Sequence, residues 1–538
     1  MKLKLLLFLF TLTLSSTLVA QETVGLLQHE VGSYDGYTLF TPEKSDFVYL
    51  INNCGQVINT WEFTDKPALT CYLLDNGNLL RAGKPNLEIR DWDNNLVWQY
   101  NLRPLGLRQH HDIEPLPNGN ILCLVKDVVT EAEQISLGKN PALLNGDLKS
   151  EKLVEIEPVG TNDMNIVWEW RFLDHIIQDF DINAPNYGDV AAHPELMDFN
   201  YSDYNMNHSD WLHMNSVAYN ADLQHIVLSA KSTGEIYVID HSTTTAEAAG
   251  HSGGNSGKGG DFIWRWGNPE AYRQGTPADR KLFEQHDAKW ITNGYVNEGK
   301  ISVFNNDQGG DQTHSSIHIV SPQLDVNNNY EMENGAFLPT DYYWSWSGEV
   351  QGDTVIGLKK CGVQALPNGN MILCETSKGR LTEVNLDGDI VWVYRNPAGS
   401  EIHNQYSTNL EILGDNSIFR GEKYPKDHIA FTGRNLTPGD IIEDINANSE
   451  ECITNLSTPA LETQLTIGIN NPVSNKRLQF HSTLENTNLI IYDLRGKVIS
   501  KLNNFNGNNL KVSQLNAGLY FLKIEKEGKQ QVLKVVIE

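Results

Sequence analysis

Leu116-Pro117-Asn118-Gly119-Asn120-Ile121-Leu122 and Leu366-Pro367-Asn368-Gly369-Asn370-Met371-Ile372 are near copies of one another. A third, Leu74-Asp75-Asn76-Gly77-Asn78-Leu79-Leu80, keeps the Asn-Gly pair between apolar flanks. Asn-Gly tolerates the positive φ of a tight hairpin turn, so each copy predicts two short antiparallel strands. Looser copies run through Ala218-Tyr219-Asn220-Ala221-Asp222, Trp290-Ile291-Thr292-Asn293-Gly294 and Ile412-Leu413-Gly414-Asp415-Asn416, making six. Between them lies a second element, six segments centred on Trp61, Trp98, Trp168, Trp264, Trp344 and Trp392, as in Ile390-Val391-Trp392-Val393-Tyr394. Large residues at alternate positions mark strands with one buried face. Several follow Asx-rich turns such as Asp93-Asn94-Asn95.

Two hairpins per unit, repeated six times, predict an all-β fold: a six-bladed β-propeller of four-stranded blades. The Trp61 strand precedes any inner pair, and the pair around Gly414 has no Trp strand after it. The ring is therefore expected to close by lending the N-terminal strands to the last blade, which removes an open edge. A tandem of β-sandwiches would not explain the alternation. The 43 glycines and 20 prolines suit this turn-rich reading and exclude a helical bundle.

The chain has 538 residues, with 41 basic and 68 acidic side chains and a formal net charge of −27. No nucleic-acid partner is expected, because phosphate binding needs a basic face, and docking on an anionic membrane is disfavoured. The charge is unevenly spread. Lys2 and Lys4 precede the apolar run Leu5–Leu14, a pattern that predicts a cleaved signal peptide over 1–20. Residues 464–538 hold ten basic and five acidic side chains, which leaves 29 basic and 63 acidic in 21–463, a net −34. Six cysteines are few for an exported chain, and no CxxC or His/Cys cluster offers a zinc site, so no metal or cofactor is expected. Cys54 and Cys71 are close enough in sequence to pair.

Among sixteen histidines, His111, His213 and His286 stand at the start of inner strands of successive blades. His111 lies five residues before Leu116, and the other two occupy the equivalent place in Trp211-Leu212-His213-Met214-Asn215 and Gln285-His286-Asp287-Ala288. Three imidazoles in register at a channel mouth point to function. As metal ligands they would come together poorly from separate blades. Inserts at 126–152, 173–210, 241–259 and 267–285 wall the same end, two of them running directly into His213 and His286. No GxxxxGK[ST] loop or GxSxG occurs, and the glycines of 253–260 sit in a low-complexity insert, so a nucleotide-type donor is disfavoured.

Trp211-Leu212-His213-Met214-Asn215-Ser216-Val217-Ala218-Tyr219-Asn220, Asp240-His241-Ser242-Thr243-Thr244-Thr245, Trp264-Arg265-Trp266-Gly267-Asn268-Pro269 and Phe283-Glu284-Gln285-His286-Asp287-Ala288 resemble the bacterial aryl-sulfate sulfotransferases. The likeness spans about residues 40–435 and is strongest over 205–306. It implies a six-bladed propeller that moves a sulfuryl group between phenols without a nucleotide. By motif, His286 matches the transiently sulfated nucleophile, His111 and His213 the supporting histidines, and Lys231 the position of the family's arginine. Lysine there lacks the bidentate fork that fits sulfate oxygens. The implied partners are a small aryl sulfate and a phenol.

From about Leu465 the style changes to short alternating strands, expected to form a small β-sandwich. Tyr492-Asp493-Leu494-Arg495-Gly496-Lys497, Leu515-Asn516-Ala517-Gly518-Leu519-Tyr520 and Lys534-Val535-Val536-Ile537 resemble the C-terminal sorting domain of type IX secretion. That likeness implies the type IX machinery as a partner and export to the surface or medium. The expected organisation is a signal peptide (1–20), propeller (21–445), linker (446–465) and sorting domain (466–538). The alternative function is a non-catalytic surface propeller that binds glycans, peptides or aryl compounds. A quinoprotein-like dehydrogenase would need more Trp units than six and an adjacent Cys pair.

Overall fold

The computed structural model describes residues 23–202, 209–408, 412, 414–443, 452, 467–493, 497–526 and 529–538. The expected signal peptide and nearly all of the expected linker lie outside them. Contacts group the chain into residues 1–449 and 450–538.

Six four-strand antiparallel arrays make up the first unit. Blade 1 is Pro67–Leu73, Leu79–Gly83, Asn86–Arg90 and Leu96–Asn101, and blade 2 is Gln109–Pro115, Ile121–Val129, Leu148–Val159 and Asp163–Arg171. Blade 3 is Met214–Asn220, His225–Ala230, Glu235–Asp240 and Phe262–Trp266. Blade 4 is His286–Trp290, Ile301–Asn305, Ser316–Val320 and Trp344–Trp346. Blade 5 is Gly362–Ala365, Met371–Glu375, Arg380–Val384 and Ile390–Arg395, with Gly25–His29 added outside as a fifth strand. Blade 6 joins the two ends of the unit, for Ile418–Pro425 pairs with Gly36–Pro42, which continues to Phe47–Ile51 and Val57–Glu62. The expected closure therefore forms. One turn is placed differently: the segment around Gly414 leads into the innermost strand of blade 6, because that strand's neighbour comes from the N-terminal segment.

The repeated tryptophans occupy the outermost strands and have a physical role that periodicity does not convey. In every blade one of them donates its indole N–H to the main chain of the next; in blade 2 this is Trp170, while Trp168 bonds Thr243 Oγ1 at 3.2 Å. Trp61 reaches Asp91 O, Trp98 Asp163 O, Trp170 Gly260 O, Trp264 Leu338 O and Trp392 Asn53 O, each at 2.8 Å. Trp344 and Trp346 bond Leu386 O at 3.0 Å and Gly388 O at 3.1 Å. Every seam of the ring is thus crossed by a ring that fills apolar space and satisfies a carbonyl there. Trp61, Trp98, Trp170, Trp264 and Trp392 are fully buried.

The second unit is one four-stranded sheet, in the order Val498–Lys511, Arg477–Tyr492, Gly518–Lys526, Lys529–Ile537. Its two long strands change register between Gln479 and Leu489, which bends the sheet over its own core. That core gathers Leu478, Phe480, Leu489, Ile491, Leu522, Ile524 and Val535. Cys54 is disulfide-bonded while Cys71 is a buried free thiol, so the two do not pair with each other.

Candidate active site

The innermost strands of blades 2 and 4 each carry a histidine followed by an aspartate near their start, His111-Asp112 and His286-Asp287. Asp112 accepts the Val217 N–H of blade 3 at 3.1 Å, and Asp287 accepts the Val363 N–H of blade 5 at 2.9 Å. In blade 3 the corresponding acceptor is Ser216, bonded by the Ala288 N–H at 3.0 Å. His111 and His286 thus share a register in which Asn215 is their counterpart, and His213 lies two residues before Asn215. The spacing that puts the three histidines in equivalent places fails for His213, because bulges shift the inner strands. Both His111 and His213 have positive φ, 52° and 50°, a conformation uncommon for non-glycine residues and often found at functional positions.

Arg420, in the innermost strand of blade 6, fastens the floor beneath the histidines. Its guanidinium pairs with Asp112 at 2.7 Å and Asp287 at 2.9 Å, and donates to Asn215 O at 2.9 Å. One buried cation thereby links blades 2, 3, 4 and 6. Nothing in the local sequence marks Arg420; its partners lie across the ring.

His286 is buried, and its tautomer follows from its neighbours. Nδ1 faces two acceptors, Glu284 O at 2.9 Å and Asn306 Oδ1 at 2.8 Å. The Asn306 amide is oriented because its Nδ2 donates to Gly357 O at 2.5 Å and Lys360 O at 2.8 Å. Nδ1 therefore carries the proton, and Nε2 presents its lone pair, which accepts the Lys360 N–H at 3.2 Å. Burial pushes the imidazole down to about 3, against the Asn306 hydrogen bond that favours the charged form. At neutral pH it is an uncharged base with a fixed lone pair.

His111 and His213 meet edge to face, ring centroids 4.9 Å apart. Desolvation, reinforced by His110, His213 and His286, pushes His111 well below the usual imidazole range. His111 Nδ1 contacts His110 Nδ1 at 2.8 Å, and His110 Nε2 contacts Glu151 at 2.8 Å. Lys126 joins Glu151 at 2.8 Å to Asp210 at 2.5 Å, and Asp210 holds His213 Nδ1 at 2.6 Å. Burial alone would raise the Asp210 carboxyl, but the His213 bond and the Lys126 ammonium hold it well below the carboxylate range. The inserts expected to wall the site supply Lys126, Glu151, Asp210 and Glu284.

Lys231 follows the second strand of blade 3 and forms an ion pair with Glu284, two residues from His286. The four expected residues are therefore gathered in one place, with Lys231 already neutralised by a carboxylate. A cavity of about 590 Å³ is lined by Lys84, Arg103, Arg108 and Gln109 among others, with no carboxylate in its lining. Sequence reasoning missed His110, Asn306, Glu284, Arg420 and this cationic cleft. For His110 the doublet His110-His111 was the available signal.

The sequence model of the arylsulfotransferase (ASST) family matches residues 72–397, and that of the secretion-system C-terminal sorting domain matches 471–538. No curated protein matches the chain. Similar solved structures include a protein of unknown function from Bacteroides caccae (11% identity, 67% of this chain and 94% of that one, TM-score 0.37). Others are virginiamycin B lyase from Staphylococcus aureus (10%, 69% and 88%, TM-score 0.32) and the Cps50 (Swd1) β-propeller domain from Myceliophteria thermophila (11%, 70% and 90%, TM-score 0.33). These distant likenesses say nothing about activity, and the propeller rests on its own strand pairing. The sorting domain indicates export, to the medium or the cell surface. With more than half of its length matched, the chain belongs to the arylsulfotransferase family and carries a type IX secretion C-terminal sorting domain.

Proposed function

We propose that this protein is a nucleotide-independent aryl sulfotransferase that works through a sulfated His286. The observation that carries the reading is the fixed tautomer of His286, with Nδ1–H locked and the Nε2 lone pair presented. Nε2 attacks the sulfur of an aryl sulfate. The bond from sulfur to the aryl oxygen breaks, and its electron pair leaves on a phenolate that takes a proton from His213 Nε2. The imidazole becomes cationic, and Asn306 Oδ1 and Glu284 O hold its Nδ1–H. The acceptor phenol then returns a proton to His213 and attacks sulfur, the S–N bond breaks, and neutral His286 is regenerated. Asp210 keeps His213 Nδ1 occupied, so that Nε2 does the proton transfer. The Lys360 N–H that caps Nε2 passes to a sulfuryl oxygen during attack, and Lys231 and His111 serve the other oxygens.

The unit's acidity repels an anionic ester at long range. The Lys84–Arg103–Arg108 cleft, lined also by Gln109 of the strand that carries His111, offers local attraction for the sulfate end of the donor. Favouring the non-catalytic reading are the occupied Nε2 and the Lys231–Glu284 pair, which leaves no unengaged cation facing the histidine among the described residues. Purified mature protein is incubated with a chromogenic aryl sulfate and a phenol acceptor. Acceptor-dependent release of the chromophore is expected, at least about a thousandfold slower in His286→Ala. Absence of release in the wild type, or equal release in the variant, rejects the proposal.

A further inference from the structure

The glycine-rich insert after blade 3's third strand, read from sequence as low complexity, is closely built. Thr244 caps the helix Thr245–Ala248 with a reciprocal bond to Glu247. Gly260 N donates to Gly250 O at 3.1 Å, and Gly259 N to Gly253 O at 3.0 Å. A side chain on Gly260 would strike Ala248 O and the His175 ring. The insert folds over His175, at the end of blade 2, which is fully buried and stacked on Trp170 with centroids 5.4 Å apart.

Both ring nitrogens of His175 face acceptors. Nε2 lies 2.9 Å from Ala248 O, and Nδ1 lies 2.8 Å from Asp261 Oδ1. The carbonyl requires a hydrogen on Nε2, so in a neutral ring Nδ1 presents a lone pair to a carboxylate oxygen. Nδ1 of His251 converges on the same oxygen at 2.8 Å. One ligand atom from each residue lies within 4.8 Å of the others. Two imidazole nitrogens and a carboxylate, one imidazole fixed through its far nitrogen by a carbonyl, form the donor set of a zinc-type site. Tetrahedral ligands about 2.0 Å from zinc stand roughly 3.3 Å apart, so opening these contacts by about half an ångström admits the ion.

We propose that His175, His251 and Asp261 bind one divalent transition-metal ion of the zinc type, which pins the 241–261 insert to the end of blade 2. Asp261 is buried whereas the His251 side chain is 61% exposed, so solvent water fills the fourth position on that side. The ligands are 76 and 10 residues apart in sequence, which is why no ligand spacing revealed them.

The test uses mature full-length protein stripped with chelator and dialysed against Zn²⁺, with bound metal counted by mass spectrometry. One equivalent is expected in the wild type and in His286→Ala, with affinity at least about tenfold weaker in His251→Ala. His251 is exposed, so its loss leaves the fold unthreatened. Co²⁺ in the wild type should give the intense visible bands of a tetrahedral site. No bound zinc, equal binding in His251→Ala, loss in His286→Ala instead, or an octahedral cobalt spectrum overturns the proposal.

Discussion

Replacing Asn306 with leucine removes the acceptor that holds His286 Nδ1–H while leaving an apolar group of similar volume. The contact is 2.8 Å long and buried, and in the proposed mechanism the imidazole it faces gains positive charge as Nε2 bonds to sulfur. Hydrogen bonds to charged groups contribute about 1.5–3 kcal/mol. Glu284 O remains as a second acceptor at 2.9 Å, so the lower half of that range applies. About 1.5–2 kcal/mol corresponds to a kcat lowered roughly ten- to thirtyfold. Asn306 touches no substrate in this scheme, so KM for the donor should stay within about twofold. Steady-state release of a chromogenic phenol measures both constants, and circular dichroism checks that the Gly357–Lys360 segment, to which Asn306 Nδ2 donates, keeps its fold. Unchanged kcat in a folded variant, or a rise in KM alone, would refute the role given to this amide.

Glu284→Gln releases Lys231 from its ion pair beside His286, and donor KM should fall by about three- to tenfold; an unchanged or higher KM would show that Lys231 does not meet the sulfate. Trp98→Phe leaves Asp163 O without its buried partner, and urea unfolding should report a loss of about 1–3 kcal/mol; a loss under about 0.5 kcal/mol would remove the indole bonds from the account of the seams. Burial holds His286 and His318 near about 3 and His225 near about 4. An unfolded histidine titrates near 6.5, so the unfolded chain binds more protons between these values. Stability should be full above about pH 6.5 and fall as pH drops toward about 3 to 4, seen as a declining Tm; a Tm constant from pH 7 to 4 would contradict the neutral buried imidazoles.

The propeller was legible because its signals are local. Asn-Gly turns and tryptophans at alternate positions each specify a few neighbouring residues, and their order showed where the ring closes. The reason for tryptophan was not legible, since the indoles that cross the seams bond carbonyls of the next blade. The same holds in the site. His111, His213 and His286 stood out by their place before inner strands, and Lys231 came only from the resemblance to known motifs. Asn306 follows the neighbouring strand of His286's own blade, and Arg420 and the Lys126–Glu151–Asp210 bridge come from inserts or distant blades, where no spacing rule applies. His213 shows the limit of spacing most clearly, for counting residues cannot detect a bulge that shifts the inner strand. The His175–His251–Asp261 cluster lay behind glycine-rich sequence that looked featureless but folds around tight carbonyl contacts.

In the proposed mechanism Nε2 of His286 carries the sulfuryl group. Mixing the protein with excess chromogenic aryl sulfate and no acceptor, then quenching and mapping peptides by mass spectrometry, tests it directly. The predicted result is a burst of one phenol per chain, with a sulfo group on the peptide containing His286 that disappears when a phenol is added. Turnover with no adduct on His286, or with the adduct on another residue, would contradict it.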